Sequence, residues 1–452
     1  MSNDPSGAGL TATIAEWALA LRLEAVPDEV LEVTRHCLLD WIAVTVAGAR
    51  EDVVELLAAE VTADGGSSAT LLGRPERTGV VDAAYVNGTA SHVLDFDDVH
   101  MGMLGHPSAP IFPALLAIAE ERPLDGETFL RAAVCGLEVE MRLGSMIFPE
   151  HYDRGWHTTA TVGAIGSAVA CAIALGADGQ QLRNAIGIAA SQAAGLKSMF
   201  GTMTKSLQVG RAAANGALSA RLAMRGADSC STSLEDPQGM LPLYAGTTGD
   251  ASAWERDRFE IPDNLFKYHA ACYLTHAGID AARSLVGEGL DPASITGVRL
   301  VANPANLAVC GIPDPTTGLE AKFSMTATSA MALLGVDTGD PDVYDTVAVS
   351  SPEVRGLIGR TAVETDPTVG RSVMRVRVDL TDGSTLTAEG DSSLPERDLA
   401  LQRQRLEAKF TRLVAPVLGR EVADATCNAV REVRDSTDVG AIVRPLATAA
   451  GA

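Results

Sequence analysis

Through the first 260 or so residues the apolar positions recur every three or four places, the spacing of helices that bury one face. The clearest start is Pro27-Asp28-Glu29, because proline suits a first helical turn and acids suit the positive end of a helix. The run VLEVTRHCLLDWIAVTVAG follows and stops at Gly48, a residue that ends helices readily. Further helical runs are expected at about 80–92, 109–121, 126–147, 158–175, 180–195 and 208–225, and no internal repeat stands out.

After about residue 265 the period changes. ITGVRLVA (295–302) alternates as a strand does, and RSVMRVRVDLTDGSTLTAEG (371–390) reads as a hairpin with Asp382-Gly383 as a two-residue turn. Residues 320–334 between them look helical, and so does the tail from 394 to 434. The chain is therefore expected to be mainly α: a large all-helical domain over 1–265, a smaller α+β lid domain over 266–393, and C-terminal helices (394–452) that pack back on the helical domain. A cleft between two such domains is the default place for a ligand.

Composition narrows the function. Apolar residues make up 46% but aromatics only 4%, which favours helices in close contact through small side chains. The formal charge of −23 argues against nucleic acid and anionic membranes as partners, so an anionic substrate would need a local basic pocket. The seven cysteines form no CxxC pair, the pattern of a reduced, cytoplasmic protein without an iron–sulfur or structural zinc site. MSNDPSGAG lacks the basic start and apolar run of a signal peptide. The uncharged run 155–178 is long enough to span a bilayer, but its Gly, Ala, Thr and Ser content reads as a buried helix. Of 35 basic residues only five are lysines, Lys197, Lys205, Lys267, Lys322 and Lys409. Where arginine is the default cation, a retained lysine suggests a need for a compact ammonium.

Four places combine ionisable groups with Gly, Pro or small residues. In LDFDDVHMGMLGHPS (94–108), Pro107 keeps His106 out of the following helix, and Ser108 could cap that helix. Asp97 and Asp98 fit ordinary turn hydrogen bonds, and the spacing matches no strong metal signature. In GWHTTATVG (155–163), His157 opens an uncharged helix, where the positive helix end favours the neutral ring and free N–H groups can bind an anion. Lys205 lies in the loop of GTMTKSLQVG, and FKYHAACYLTHAG (266–278) carries Lys267, His269, Cys272 and His276. Cys272 reads as a small buried contact rather than a nucleophile. No P-loop, GxGxxG or GxSxG is present, so the set favours proton-transfer chemistry on a small anion.

Five segments together resemble the MmgE/PrpD family: LDFDDVH…GHPSA, GWHTTATVGAIGSAVA, GTMTKSLQVGRAAANGA, KYHAACYLTHAGIDAA and PTTGLEAKFS. The family includes 2-methylcitrate dehydratase, cis-aconitate decarboxylase and iminodisuccinate epimerase. The resemblance implies a helical domain with an α+β lid, a homodimer, and catalysis without metal or organic cofactor. It also implies a candidate catalytic set of Asp95, His106, His157 and Lys205, with Lys267 opening the lid segment. Lys267, Cys272, Ser108 and Thr158 are the candidate substrate contacts. Cys272 and Ala327 stand where the decarboxylases of the family carry His and Tyr. In the expected chemistry the lysines and helix N-termini hold substrate carboxylates, a histidine moves a proton at a carbon beside a carboxylate, and Asp95 orients it. Dehydration, decarboxylation and epimerisation all fit such a set, and a carboxylate-binding homologue without catalysis is the alternative.

Overall fold

The computed structural model describes residues 9–62, 67–255 and 258–448. The amino-terminal MSNDPSGA, in which no signal peptide was read, lies outside the described residues. The fold is mainly α, with a large helical part and a smaller α+β part. The chain divides into two compact units at Phe266/Lys267 and at Pro395/Glu396, so the first unit takes in the C-terminal tail.

In the first unit the expected helices form at Asp28–Gly48, Val80–Val93, Ser108–Glu121, Gly126–Ile147, Thr158–Leu175, Gly179–Gln192 and Thr204–Met224. Helices at Leu10–Ala20 and Asp52–Thr62, and a short antiparallel pair (Ala69–Thr70 with Arg77–Thr78), add to them. Side chains start several: Asp125 accepts from the Thr128 N–H, and Asp178 with Gln181 forms a reciprocal capping box. The tail holds two longer helices, Leu399–Leu418 and Arg420–Arg431, broken at Gly419, and a short one at Gly440–Val443; the first packs on Asp28–Gly48.

Thr158–Leu175 is apolar and long enough to cross a bilayer. Its residues are buried by Ser108–Glu121, Gly126–Ile147 and Thr204–Met224, as its small-residue composition implies. The same close packing brings Val80–Val93 against Thr204–Met224. At their crossing Gly210 faces Gly88, and a Cβ on Gly210 would overlap the Tyr85 carbonyl oxygen and Thr89 Oγ1. This crossing sets the end of one helix, at His92, beside the start of the other, at Lys205.

The second unit holds a four-stranded sheet in the order Thr361–Thr365, Ile295–Ala302, Val373–Leu380, Thr385–Asp391. The first pair is parallel and the rest antiparallel. Met374, Val376 and Val378 alternate onto the buried face, under the helix Tyr273–Gly287. The other face carries charge pairs such as Arg375–Glu389. The hairpin forms where expected, but its turn is one residue longer. Gly383 N–H bonds the Leu380 carbonyl and Leu380 N–H bonds Ser384, while Gly383 takes φ +85°. The loop is thus three residues long with a left-handed glycine last, an arrangement that suits the twist of paired strands, rather than a two-residue turn. The helix expected at 320–334 is two pieces, Gly318–Lys322 and Met325–Leu333, because Ser324 leaves the helix and caps the second.

Gly210→Ala is expected to lower stability by about 1–3 kcal/mol, since the added methyl meets backbone that cannot move alone. Gly287→Ala, whose Cβ meets nothing within 4 Å, is expected to be neutral or stabilising. Chemical denaturation of both variants checks this, and equal midpoints would contradict the close-crossing argument.

Candidate active site

The 94–107 loop starts where the Val80–Val93 helix runs out. Asp95 takes a left-handed conformation, φ +52°, which Asp tolerates better than most residues. Val99 then exchanges two 2.8 Å backbone hydrogen bonds with Leu265, and His100 pairs with Gly105. Met101–Leu104 is thus the tip of a small folded-back loop, and His106 emerges from its base just ahead of the Ser108–Glu121 helix.

Asp97 is the centre of the arrangement. It is fully buried, and its Oδ2 lies 2.7 Å from His92 Nδ1 while Oδ1 lies 3.3 Å from His106 Nδ1. Burial pushes its carboxyl up, but the charges and hydrogen bonds of His106 and His92 outweigh that and hold it well below the usual carboxylate range. His106 Nδ1 also lies 2.8 Å from the Asp98 carbonyl oxygen, which can only accept. The proton of both rings is therefore on Nδ1, and Nε2 is the free nitrogen.

His157 repeats the pattern with a different partner. Its Nδ1 is 3.0 Å from Gln208 Oε1, and Gln208 Nε2 is anchored on the Leu196 carbonyl, so the amide oxygen faces the ring. His157 precedes the first turn of Thr158–Leu175 as expected. Burial, then repulsion from His92 when that ring is protonated and from Lys205, press its proton affinity well below the ordinary range; His92 is pressed by burial to about 4 despite Asp97. The rings of His92 and His106 are 4.6 Å apart, and those of His92 and His157 are 5.8 Å apart. Lys205 Nζ sits 2.9 Å from Asp95 Oδ1, which in turn lies 3.9 Å from His106 Nε2. Phe200 closes one side, edge-on to His157 and 5.6 Å from the Lys205 ammonium.

The structure thus gathers Asp95, His106, His157 and Lys205 in the first unit. Ser108 does not cap its helix: its N–H and Oγ both bond Asp98, at 3.2 and 2.5 Å, because that buried carboxylate needs donors. Asn264 Nδ2 gives Asp98 a third, at 2.7 Å. Asp97 and Asp98 are therefore buried acceptors rather than turn caps. Thr158 is buried with no hydrogen-bond partner for its hydroxyl among the described residues, whereas its neighbour Thr159 accepts from the His106 N–H at 3.1 Å. Lys267 and Cys272 belong to the second unit. Lys267 is buried, and Cys272 precedes the Tyr273–Gly287 helix, its N–H on the Lys322 carbonyl at 2.9 Å.

Sequence reading passed over His92, Gln208 and Thr159. The available signal for His92 was its place three residues before Asp95, in the last turn of a helix. His92, Asp97 and His106 also offer three ligand-type atoms within 4.8 Å of one another. His92 is hydrogen-bonded to Asp97 and His106 stands 3.3 Å from its other oxygen, and the same three side chains are spaced closely enough to hold a metal ion.

The partners predict that 15N spectra of His92, His106 and His157 show the Nδ1–H tautomer, with His92 neutral down to about pH 4. An unfolded ring gains its proton near pH 6.5, so the contribution of His92 to stability is complete above that pH and lost as the pH falls toward 4. A His92 midpoint near 6.5, or an Nε2–H ring among the three, would contradict the arrangement.

The MmgE/PrpD N-terminal domain matches residues 12–251 and the MmgE/PrpD C-terminal domain matches 269–435. Cis-aconitate decarboxylase of Aspergillus terreus is 27% identical over 442 residues, 90% of each chain. Cis-aconitate decarboxylase of Homo sapiens is 27% identical over 453 residues, covering 95% of this chain and 92% of its own. That of Mus musculus is 27% identical over 462 residues, 97% of this chain and 93% of its own. Both domains are matched in order over most of the chain, and the chain belongs to the MmgE/PrpD family.

Proposed function

We propose that this protein is a lyase that removes CO2 from a small unsaturated di- or tricarboxylate. The reading is carried by the Lys205–Asp95–His106–Asp97 array, in which a cation, an imidazole and its buried carboxylate converge. The activity named for its relatives supports carbon–carbon cleavage over the other outcomes that such residues allow. Lys205 receives a substrate carboxylate, exchanging it for Asp95. The C–C bond to the leaving carboxylate breaks, its electron pair stays on carbon, and CO2 departs. One proton then completes the reaction: His106 Nε2 takes it up from solvent as the anionic substrate binds and passes it to the carbanion, returning the ring to its Nδ1–H form, with Asp97 beside Nδ1. His157, with its own Nε2 bare, lines the same space.

Dehydration would require a base for the C–H proton and a separate acid for the leaving hydroxyl, and epimerisation would require donors on opposite faces. Cys272 and Ala327, which depart from the decarboxylase pattern, favour an acid related to cis-aconitate rather than cis-aconitate itself.

The test is incubation with four- to seven-carbon di- and tricarboxylates, cis-aconitate included, in D2O with NMR detection. CO2 loss with one deuterium placed in the product is expected, and water loss or C–H exchange alone would replace this reading with dehydration or epimerisation. His106→Asn is expected to lower kcat by about 10²–10⁴-fold while the fold is kept. Activity is expected to survive exhaustive chelation, and its loss with recovery on adding a metal would overturn the proposed chemistry.

A further inference from the structure

One of the five lysines lies far from the site in sequence and directly beneath it in space. Lys409, on the Leu399–Leu418 helix, is only 3% exposed. Its Nζ donates to Asp40 Oδ1 at 2.6 Å and to the Phe96 carbonyl oxygen at 2.8 Å, and lies 3.9 Å from the centre of the Phe96 ring. Phe96 stands between Asp95, which pairs with Lys205, and Asp97, which orients His106. It is itself 1% exposed.

An ion pair kept only for stability needs no such reach. Buried pairs are often replaceable by apolar residues without loss, and the Asp40 contact alone would satisfy the ammonium's charge. The bond to the Phe96 carbonyl is different, because it grips the backbone next to the left-handed Asp95. Neighbouring backbone groups are held too: Asp95 N–H bonds the His92 carbonyl, and the Asp98 carbonyl faces His106 Nδ1. Lys409 supplies the grip between them. Asp40 supports it from the Asp28–Gly48 helix. Burial raises the Asp40 carboxyl to about 7 against the pull of Lys409, and the charges of Asp98 and Asp97 add to the rise.

We infer that Lys409 is a positioning residue, which fixes the 95–98 backbone so that Asp95 and Asp97 meet Lys205 and His106. This rests on the site's being the proposed proton-transfer centre, so one readout is independent of turnover. Three variants separate the loop bond from the ion pair: Lys409→Met, Asp40→Asn, and the double variant Asp40→Asn/Lys409→Met, which leaves neither charge and covers the case in which an unpaired buried Asp40 prevents folding.

Asp40→Asn, which keeps the Phe96 bond, is expected to hold kcat within about threefold of the parent. The Lys409 variants are expected to lose about 10–100-fold in kcat at a KM within about threefold, the cost of displaced catalytic groups rather than of weakened binding. In 15N spectra the Lys409 variants are expected to lose the single Nδ1–H state of His106, and Asp40→Asn to keep it. This readout stands even if no substrate in the panel is turned over. A folded Lys409 variant with parental kcat or an unchanged His106 signature would overturn the inference. Equal losses in Asp40→Asn and the double variant would also overturn it, by assigning the effect to the ion pair.

Discussion

Asp97 is taken wholly out of water, and an ionised carboxylate in that position is tolerable only when donors surround it. His92, at the end of the Val80–Val93 helix, supplies one at 2.7 Å, and His106, at the base of the following loop, sets its Nδ1 3.3 Å from the other oxygen. Much follows from this one requirement. It puts the proton of each ring on Nδ1, leaves both Nε2 atoms bare, and ties a loop residue to a helix end. Asp98, one residue on, makes the same demand on Ser108 and Asn264 and so pins the start of the next helix and the end of the unit's first long segment. The site's order is thus enforced by the cost of leaving two acids unpaired.

That cost is spread through an interior carrying more acid than base. Burial raises the carboxyls of Asp40 and Glu138 to about 7 and that of Glu140 well above its ordinary range, with Asp98's charge adding to the last. Among the described residues Glu140 has no hydrogen-bond partner on either oxygen. Burial raises the Asp98 carboxyl as well, against the donors Ser108 and Asn264, and two charged acids in one dry space would repel strongly. Glu138 is better served, by Arg142 at 2.8 Å and by the Glu260 and Ile261 N–H groups. Close-packed small-residue helices make such an interior dry, and Lys409 and Arg142 are cations placed against it.

The residues legible in the sequence were those whose surroundings are local. His106 before Pro107 and His157 at the head of an uncharged helix each sit at an element boundary that neighbouring residues mark, whereas Lys205, expected in a loop, lies in the first turn of Thr204–Met224, which begins earlier than its apolar spacing indicates. His92 was not legible, because it lies in the last turn of a helix with no strong amphipathic pattern and acquires meaning only from Asp97. Asp97 resembled a turn residue because Asp commonly is one; burial, which local pattern does not report, makes it central. The strand Thr361–Thr365 was missed because it is short and largely exposed, so it shows little alternation. Lys409 could be counted as scarce but not placed, since its partners are more than 300 residues away. The helical first part and mixed second part were readable because periodicity is a local property repeated many times.

The charge arrangement also bears on how the proposed site would obtain its proton. At rest the Lys205 ammonium is matched by Asp95, and the buried rings of His92 and His157 are neutral. A substrate bearing two or three carboxylates brings more negative charge than Lys205 alone can match. Part of the excess then falls near His106 Nε2, where Asp95 already contributes at 3.9 Å. Opposite charge favours the protonated ring, and Asp97 is placed to stabilise it through the other nitrogen. On the proposed reading, anion binding and proton acquisition would be linked in this way, the substrate's charge helping to load the donor that its reaction requires. A chain of net charge −23 can do this only where a few compact cations are held close to the site, which is the setting in which Lys205 and Lys409 are found.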